Sequence, residues 1–99
     1  MSLDISIRKA GKVKVNKKGQ RYWTITEVLT LRNTWNFLDK LDNYNTIKNC
    51  YQTEFSGEDI YDAANDISDE AEKEKVIEEL KEAKIKNNEG VFYKIHPWW

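Results

Sequence analysis

Cys50 and His96 are the two side chains whose types are most often used for nucleophilic catalysis. Each is the only residue of its kind, and 46 positions separate them. A Cys–His pair needs contact in space and a third group that orients the His, and no local pattern around either residue supplies one. One Cys and one His are also too few for a zinc site without carboxylate ligands. We therefore predict no catalytic residue, no metal site and no enzymatic activity.

Other features exclude further classes of protein. The four glycines are isolated, so no glycine-rich loop for the phosphates of a cofactor is predicted. A single cysteine excludes an internal disulfide and fits a reducing compartment. No run approaches the roughly 20 apolar residues of a membrane span, and the start of the chain lacks the pattern of a signal peptide. We expect a cytoplasmic protein without cofactor or membrane contact.

A basic segment covers residues 8–23 and contains no acidic residue. Alternating apolar positions such as Val13 and Val15 predict strands with cations on the opposite face. Tyr22 and Trp23 follow directly, and aromatic rings beside cations can stack on bases while the cations neutralise phosphates. Lysines that protect an exposed strand edge give the same pattern. The candidate nucleic-acid-binding residues are Arg8, Lys9, Lys12, Lys14, Lys17, Lys18 and Arg21.

Charge is divided unevenly along a chain whose net charge is −1. Residues 1–53 contain ten Lys or Arg and four Asp or Glu, whereas residues 54–99 contain six and thirteen. Such asymmetry predicts a surface with two differently charged faces. The acidic half could also imitate a nucleic-acid backbone, but the lysines within it weaken that field. Ordinary solvated helix surface is the simpler interpretation.

Three short strands are predicted at the start of the chain. Alternation of apolar and polar residues places them over residues 3–8, 13–15 and 20–25. A turn is predicted around Gly11, and a second at residues 16–19, where Asn and Gly can adopt positive φ. These strands form an N-terminal antiparallel meander.

Three helices are predicted after the meander. Thr24 and Glu27 have capping-box spacing, and apolar residues then recur at three- and four-residue intervals, which predicts a helix over about 26–42. Ser56 is placed to cap the second helix. The third spans residues 69–86, and its acidic residues come first and its lysines last, as the helix dipole favours. Gly90 is the predicted stop signal.

Two further strands complete the predicted sheet. A short one is expected around residues 51–55 and a last one over residues 91–95, ended by Pro97. The elements together predict a single small α+β domain over residues 1–99. Its antiparallel sheet has three to five short strands, from the N-terminal meander and the C-terminal strand, with about three helices packed on one face.

The last two residues are both tryptophan, in a chain with twelve aromatic residues. Trp and Tyr dominate the energetics of protein interfaces. Alternatively, at least one terminal Trp ring caps the core beside Trp23 or Trp35. The candidate partner-binding residues are Tyr22, Trp23, Tyr93, Trp98 and Trp99.

Four features occur together: the start MSLDI, the segments ITEVLTLRNTWNFLDKL and NCYQTEFSGEDI, and a final Trp. Over about half of the chain they resemble small uncharacterised bacteriophage and prophage accessory proteins, from which the lysine-rich meander departs. The resemblance implies a phage-encoded protein that binds a host or defence-system protein in the host cytoplasm. We expect a non-enzymatic protein-interaction module that acts as an inhibitor or modulator. Nucleic-acid binding through the meander is the alternative, a self-assembling structural protein is a third, and the oligomeric state is left open.

Overall fold

A four-stranded antiparallel sheet with three helices on one face makes up the described part of the protein, which confirms the predicted α+β fold. The computed structural model describes residues 2–99, apart from the side chains of Lys12 and Trp23. The strands are β1 (Asp4–Val15), β2 (Arg21–Arg32), β3 (Thr53–Ser56) and β4 (Phe92–Trp98). The helices are α1 (Trp35–Tyr44), α2 (Gly57–Asn65) and α3 (Glu70–Glu82). The strand order is β2-β1-β4-β3, with every pair antiparallel.

The hydrophobic core lies between the sheet and the helices. Successive side chains of a strand point to opposite faces, and the inward face of β1 buries Ile5 and Ile7 completely. The inward face of β4 buries Tyr93, Ile95 and Pro97. Each helix contributes an apolar stripe, and the buried residues of these stripes are Phe37, Leu41, Ile60, Ala63, Ala64, Val76 and Leu80. Within residues 2–99, no helix is long and apolar enough to cross a membrane.

One long hairpin replaces the three predicted short strands. The turn predicted around Gly11 is wrong, because β1 continues through it with a register shift between Ala10 and Val13. A Cβ at Gly11 would overlap the Thr24 side chain, so this irregular pairing requires glycine. The turn predicted at residues 16–19 is confirmed, with Gly19 at a φ of +78°.

The helix predicted over 26–42 begins only at Trp35. Residues 26–32 belong to β2, where Leu31 lies opposite Ile5 and is fully buried. The apolar spacing that predicted a helix therefore joins the end of a strand to the start of a helix. Five of the twelve β2 residues are β-branched, which favours a strand. Glu27 caps no helix and accepts hydrogen bonds from Ser6 and Thr30 instead.

β4 does not end before Pro97, as predicted, but runs through it to Trp98. Pro97 lies opposite Ile5 of β1, and its carbonyl oxygen accepts a hydrogen bond from the Cys50 amide at 2.8 Å. The backbone polar groups of Pro97 therefore face the loop before β3. The N–H that proline lacks would also point toward that loop and away from β1. Proline therefore removes no hydrogen bond from the ladder between β1 and β4.

Side chains cap all three helices. The Ser56 hydroxyl accepts from the Asp59 amide at 3.1 Å, which confirms the predicted start of α2. Asp69 caps α3 in the same way. The α1 cap comes from another helix, because a carboxylate oxygen of Glu72 in α3 accepts from the Phe37 amide at 2.8 Å. This bond uses one of the unpaired N–H groups at the start of α1 and joins the two helices.

α3 ends at Glu82, earlier than the predicted residue 86, and Gly90 plays no part in its termination. Lys84 adopts the left-handed conformation with a φ of 59°. The Ile85 amide donates to the Leu80 carbonyl, and the Lys84 amide to the Lys81 carbonyl, both at 3.0 Å. These bonds form a Schellman motif, in which glycine is the usual left-handed residue. Lysine in this position is strained.

Lys84→Gly should therefore stabilise the protein. Removing the left-handed penalty is expected to raise the free energy of unfolding by about 1 kcal/mol, which raises the melting temperature by about 5 °C. Lys81→Gly is the control, because it places glycine within the helix and should cost about 1 kcal/mol. Urea denaturation of both variants checks the prediction, and destabilisation by Lys84→Gly would contradict it.

Candidate binding surfaces

β1 is longer than the part of it that β4 covers, and the excess forms a projecting arm. β4 pairs with β1 only from Asp4 to Arg8. Residues 9–26, called the arm below, continue as a two-stranded ribbon that contains the ends of β1 and β2. Seven strand residues beyond Arg8 extend about 23 Å, in a molecule that measures 50 × 29 × 22 Å.

The arm carries six Lys or Arg and no Asp or Glu, whereas the rest of the chain carries ten and seventeen. Every described side chain from 13 to 22 is exposed. The arm brings together five of the predicted cations, and Lys12 also lies on it, with a side chain outside the described residues. Arg8 is set apart at the root of the arm. The exposed cations of the arm are Lys9, Lys14, Lys17, Lys18 and Arg21.

Asn16 fixes the tip of the arm. Its side-chain oxygen accepts from the amides of Lys18 and Gln20, both at 2.9 Å, and its side-chain nitrogen donates to the Gln20 side chain at 3.1 Å. The Asn16 carbonyl also accepts from the Gly19 amide at 3.0 Å. This bonding holds the backbone that carries Lys17 and Lys18, so two cations stand at the tip on an ordered turn.

The two faces of the arm differ in chemistry. Lys14 and Tyr22 lie opposite each other in the register and share one face, while Val13 and Val15 lie on the other. Tyr22 is 46% exposed. Arg21 pairs with Val15 and so lies on the second face. The arm therefore presents an aromatic ring beside a cation on one face, and aliphatic side chains together with a cation on the other.

A polar cluster holds the root of the arm. A register shift at Val28 places Glu27 opposite Arg8, where its carboxylate accepts from the hydroxyls of Ser6 at 2.5 Å and Thr30 at 2.8 Å. The hydrogen bond from Ser6, then that from Thr30, and finally the Arg8 charge lower the pKa of Glu27. The charged form of this carboxylate is therefore the one that ties β1 to β2 where the arm leaves the sheet.

Glu27→Gln should lower stability at neutral pH but much less in acid. Because the folded-state pKa of Glu27 is lowered, its contribution is present above the ordinary pKa, roughly 4.3, and is lost as the pH falls through the folded value. The difference between the urea midpoints of wild type and variant should therefore shrink as the pH is lowered below the ordinary pKa of glutamate. Glu89→Gln removes the same charge from an exposed loop and is the control. A difference that persists unchanged in acid would refute the assignment.

An aromatic groove of about 270 Å³ lies at the other end of the sheet. The strand register shows where the groove lies. Trp98, next to Trp99, pairs with Asp4 at the start of β1, whereas the arm is formed by the other end of β1. The rings of Trp35 and Trp99 meet edge to face with centroids 6.2 Å apart, and both residues are about 40% exposed. The groove is lined by Trp35, Leu38, Asp39, Asp42, Ile47 and Trp99.

Asn49 holds Trp99 in place through two hydrogen bonds. Its side-chain oxygen accepts from the Trp99 amide at 2.8 Å, and its side-chain nitrogen donates to the Trp99 carbonyl at 3.1 Å. The Asn49 amide group thus pairs with Trp99 as a neighbouring strand would. Trp99 is therefore tied to the loop before β3, although it lies beyond the end of β4.

The predicted partner-binding residues do not form one surface. Tyr93 is 3% exposed and its hydroxyl accepts from the Lys86 amide, so its assignment to a binding surface is wrong. Trp98 is half-buried on the helix-free face of the sheet, with its ring 5.0 Å from that of His96. Neither terminal Trp belongs to the buried core. Tyr22 lies on the arm, as does Trp23, whose side chain is outside the described residues.

Sequence reasoning missed Trp35 and Asp39 as surface residues. The apolar spacing places both in one long helix over 26–42, and the sequence indicates only Trp35 as a neighbour of the terminal rings. A signal was present in Asn33 and Thr34, since Asn and Thr commonly precede helices. The contact between Trp35 and Trp99 spans 64 positions and leaves no local signal.

The two residues of catalytic type have different neighbours. The Cys50 thiol is exposed and lies 3.5 Å from the Asn49 side-chain oxygen, while the His96 ring packs on Trp98. Ser6, opposite His96 in the register, is buried and donates its hydroxyl to Glu27. Among residues 2–99, no group of three or more His, Cys, Asp or Glu could hold a metal ion.

Comparison with known proteins adds no relative from which a function could be transferred. No family model, curated protein or solved structure matches the chain. The resemblance to phage accessory proteins therefore stays a prediction, and function has to be argued from the arm and the groove themselves.

Proposed function

We propose that the protein is a non-catalytic nucleic-acid-binding protein whose arm contacts a phosphate backbone. The observation that supports this function is the charge of the arm, with six cations and no acid on an exposed ribbon. Lys and Arg side chains bind nucleic acid by neutralising phosphates and releasing counterions. A two-stranded ribbon also has the width that the major groove of DNA admits.

The rest of the molecule favours the same orientation. Outside the arm the chain has seven more acidic than basic residues, so the body is repelled by phosphates while the arm is attracted. Tyr22 is exposed beside Lys14, where its ring can stack on an unpaired base. We therefore expect the arm to bind both duplex and single-stranded nucleic acid.

Removing four cations from the arm should weaken binding and reduce its salt dependence. The variant is Lys14→Gln, Lys17→Gln, Lys18→Gln and Arg21→Gln, all at exposed positions. Each phosphate contact contributes roughly 0.9 to the slope of log K against log salt, so the slope should become shallower by about 3 to 4. Fluorescence anisotropy with a short labelled duplex and a single strand, from about 50 to 200 mM salt, measures both quantities.

A matched control removes the same charge from the body. Lys75→Gln, Lys81→Gln, Lys84→Gln and Lys86→Gln also replace four exposed lysines, but away from the arm. This variant should keep most of the affinity and the salt slope of the wild type. Equal losses in both variants would show a non-specific effect of net charge, and absence of binding at low salt would end the proposal.

A second candidate function is binding of a protein partner through the aromatic groove. The observation that favours it is the exposed pair of Trp35 and Trp99, held in place by Asn49. Trp side chains in a preformed pocket are typical binding hot spots. For a phage-encoded protein, as the resemblance implies, the partner is a host or defence-system protein that this module inhibits or modulates in the host cytoplasm.

Trp99→Ala should abolish this second function without unfolding the protein. Wild type bound to beads should retain a specific protein from a host lysate after nuclease treatment, and Trp99→Ala should lose it. Phe92→Ala is the control, because Phe92 is 53% exposed and lies at the other end of β4. Melting curves identify any loss that comes from unfolding. A partner that disappears with nuclease, or is retained by Trp99→Ala, counts against this function.

A further inference from the structure

The aromatic groove combines flat rings with negative charge. Trp35, Trp99, Leu38 and Ile47 form its apolar walls, and its other lining side chains are Asp39 and Asp42. Both carboxylates lie on α1, three positions apart, so they project from the same side of the helix. All charge on the described lining is therefore negative, and it stands beside two indole rings.

The groove is formed before a ligand arrives. Asn49 fixes the Trp99 backbone, and the Trp99 ring contacts Trp35 at the first turn of α1. Asp42 accepts from the Ile47 amide at 2.9 Å, which ties the groove wall to its carboxylate. A preformed site loses less conformational freedom on binding.

We propose that this groove binds an arginine side chain of a partner protein. A guanidinium group stacks on Trp rings by cation–π interaction and forms paired hydrogen bonds with carboxylates. Its planar shape suits both contacts better than the ammonium group of lysine. A volume of about 270 Å³ is below that of most sites for drug-sized ligands and suits a single long side chain.

This inference gives the chemistry of the second candidate function and does not depend on nucleic-acid binding by the arm. The two sites lie at opposite ends of β1, so each can be removed without altering the other. Failure of the arginine experiment below would leave the arm proposal untouched. It would also leave open a partner held by the aromatic rings alone, which the Trp99→Ala experiment tests separately.

The test uses small probes and the intact protein. Titration with N-acetylarginine amide should give saturable shifts of the Trp35 and Trp99 indole N–H signals in nitrogen-15 NMR spectra, with the four Trp signals assigned by single Trp→Phe variants. The matching lysine derivative should bind about threefold more weakly. The citrulline derivative, neutral but of the same shape, should bind at least about tenfold more weakly.

Asp39→Asn with Asp42→Asn is the decisive variant. Asparagine can still accept from the Ile47 amide, so the groove should keep its shape while arginine affinity falls about tenfold. Glu70→Gln with Glu74→Gln removes two exposed charges from α3 and should change affinity by less than about twofold.

Three results would overturn the proposal. Equal binding of arginine and citrulline would show an apolar groove without selectivity for cations. Equal losses in the two double variants would show general charge attraction. A dimer seen by light scattering, and abolished both by Arg21→Gln and by the Asp39 and Asp42 variant, would place the arm of a second copy in the groove instead of a partner protein.

Discussion

The pairing of β1 with β4 is the contact on which the rest of the structure depends. It joins the N-terminal hairpin to the helical half of the chain, and it places β4 between β1 and β3. Only five residues of β1 take part, although β1 has twelve. The same pairing therefore creates both candidate surfaces: it leaves the end of the hairpin uncovered as the arm, and it brings Trp99 back to the start of α1.

A hairpin that no further strand covers lowers the stability of the fold, so the residue types in the arm bear on its function. Isolated two-stranded ribbons are marginally stable, and six like charges repel one another. Asn16 and Gly19 at the tip and Glu27 at the root offset part of this cost with local hydrogen bonds and a favourable turn. Lysines also protect free strand edges from pairing with other chains. That protection does not require the complete absence of acidic residues, whereas attraction to a polyanion benefits from it.

Elements with local signals were predictable from the sequence, and elements defined by distant contacts were not. Ser56 marked the start of α2 because its cap bonds a residue three positions away. The turn after Val15 followed from Asn and Gly at fixed positions. The helix predicted over 26–42 failed because register shifts interrupt the period-two pattern of the hairpin, so that Val28 and Leu31 match a helical spacing by coincidence. The groove depends on Asn49 and Trp99, 50 positions apart, and the sequence offers Trp35 as a neighbour of a terminal ring but gives no sign of Asn49.

The positions of the two surfaces have a consequence for the proposed functions. β1 starts beside Trp98 and ends at the turn of the arm, so about 36 Å of strand separates the groove from the tip. That distance is several times the Debye length of about 8 Å at physiological salt. The charges of Asp39 and Asp42 therefore do not weaken the attraction of a polyanion to the tip. Their own attraction for a cation is likewise unchanged when a polyanion occupies the arm. A protein built this way can hold a nucleic acid and a protein partner at once, and binding at one end should leave affinity at the other nearly unchanged.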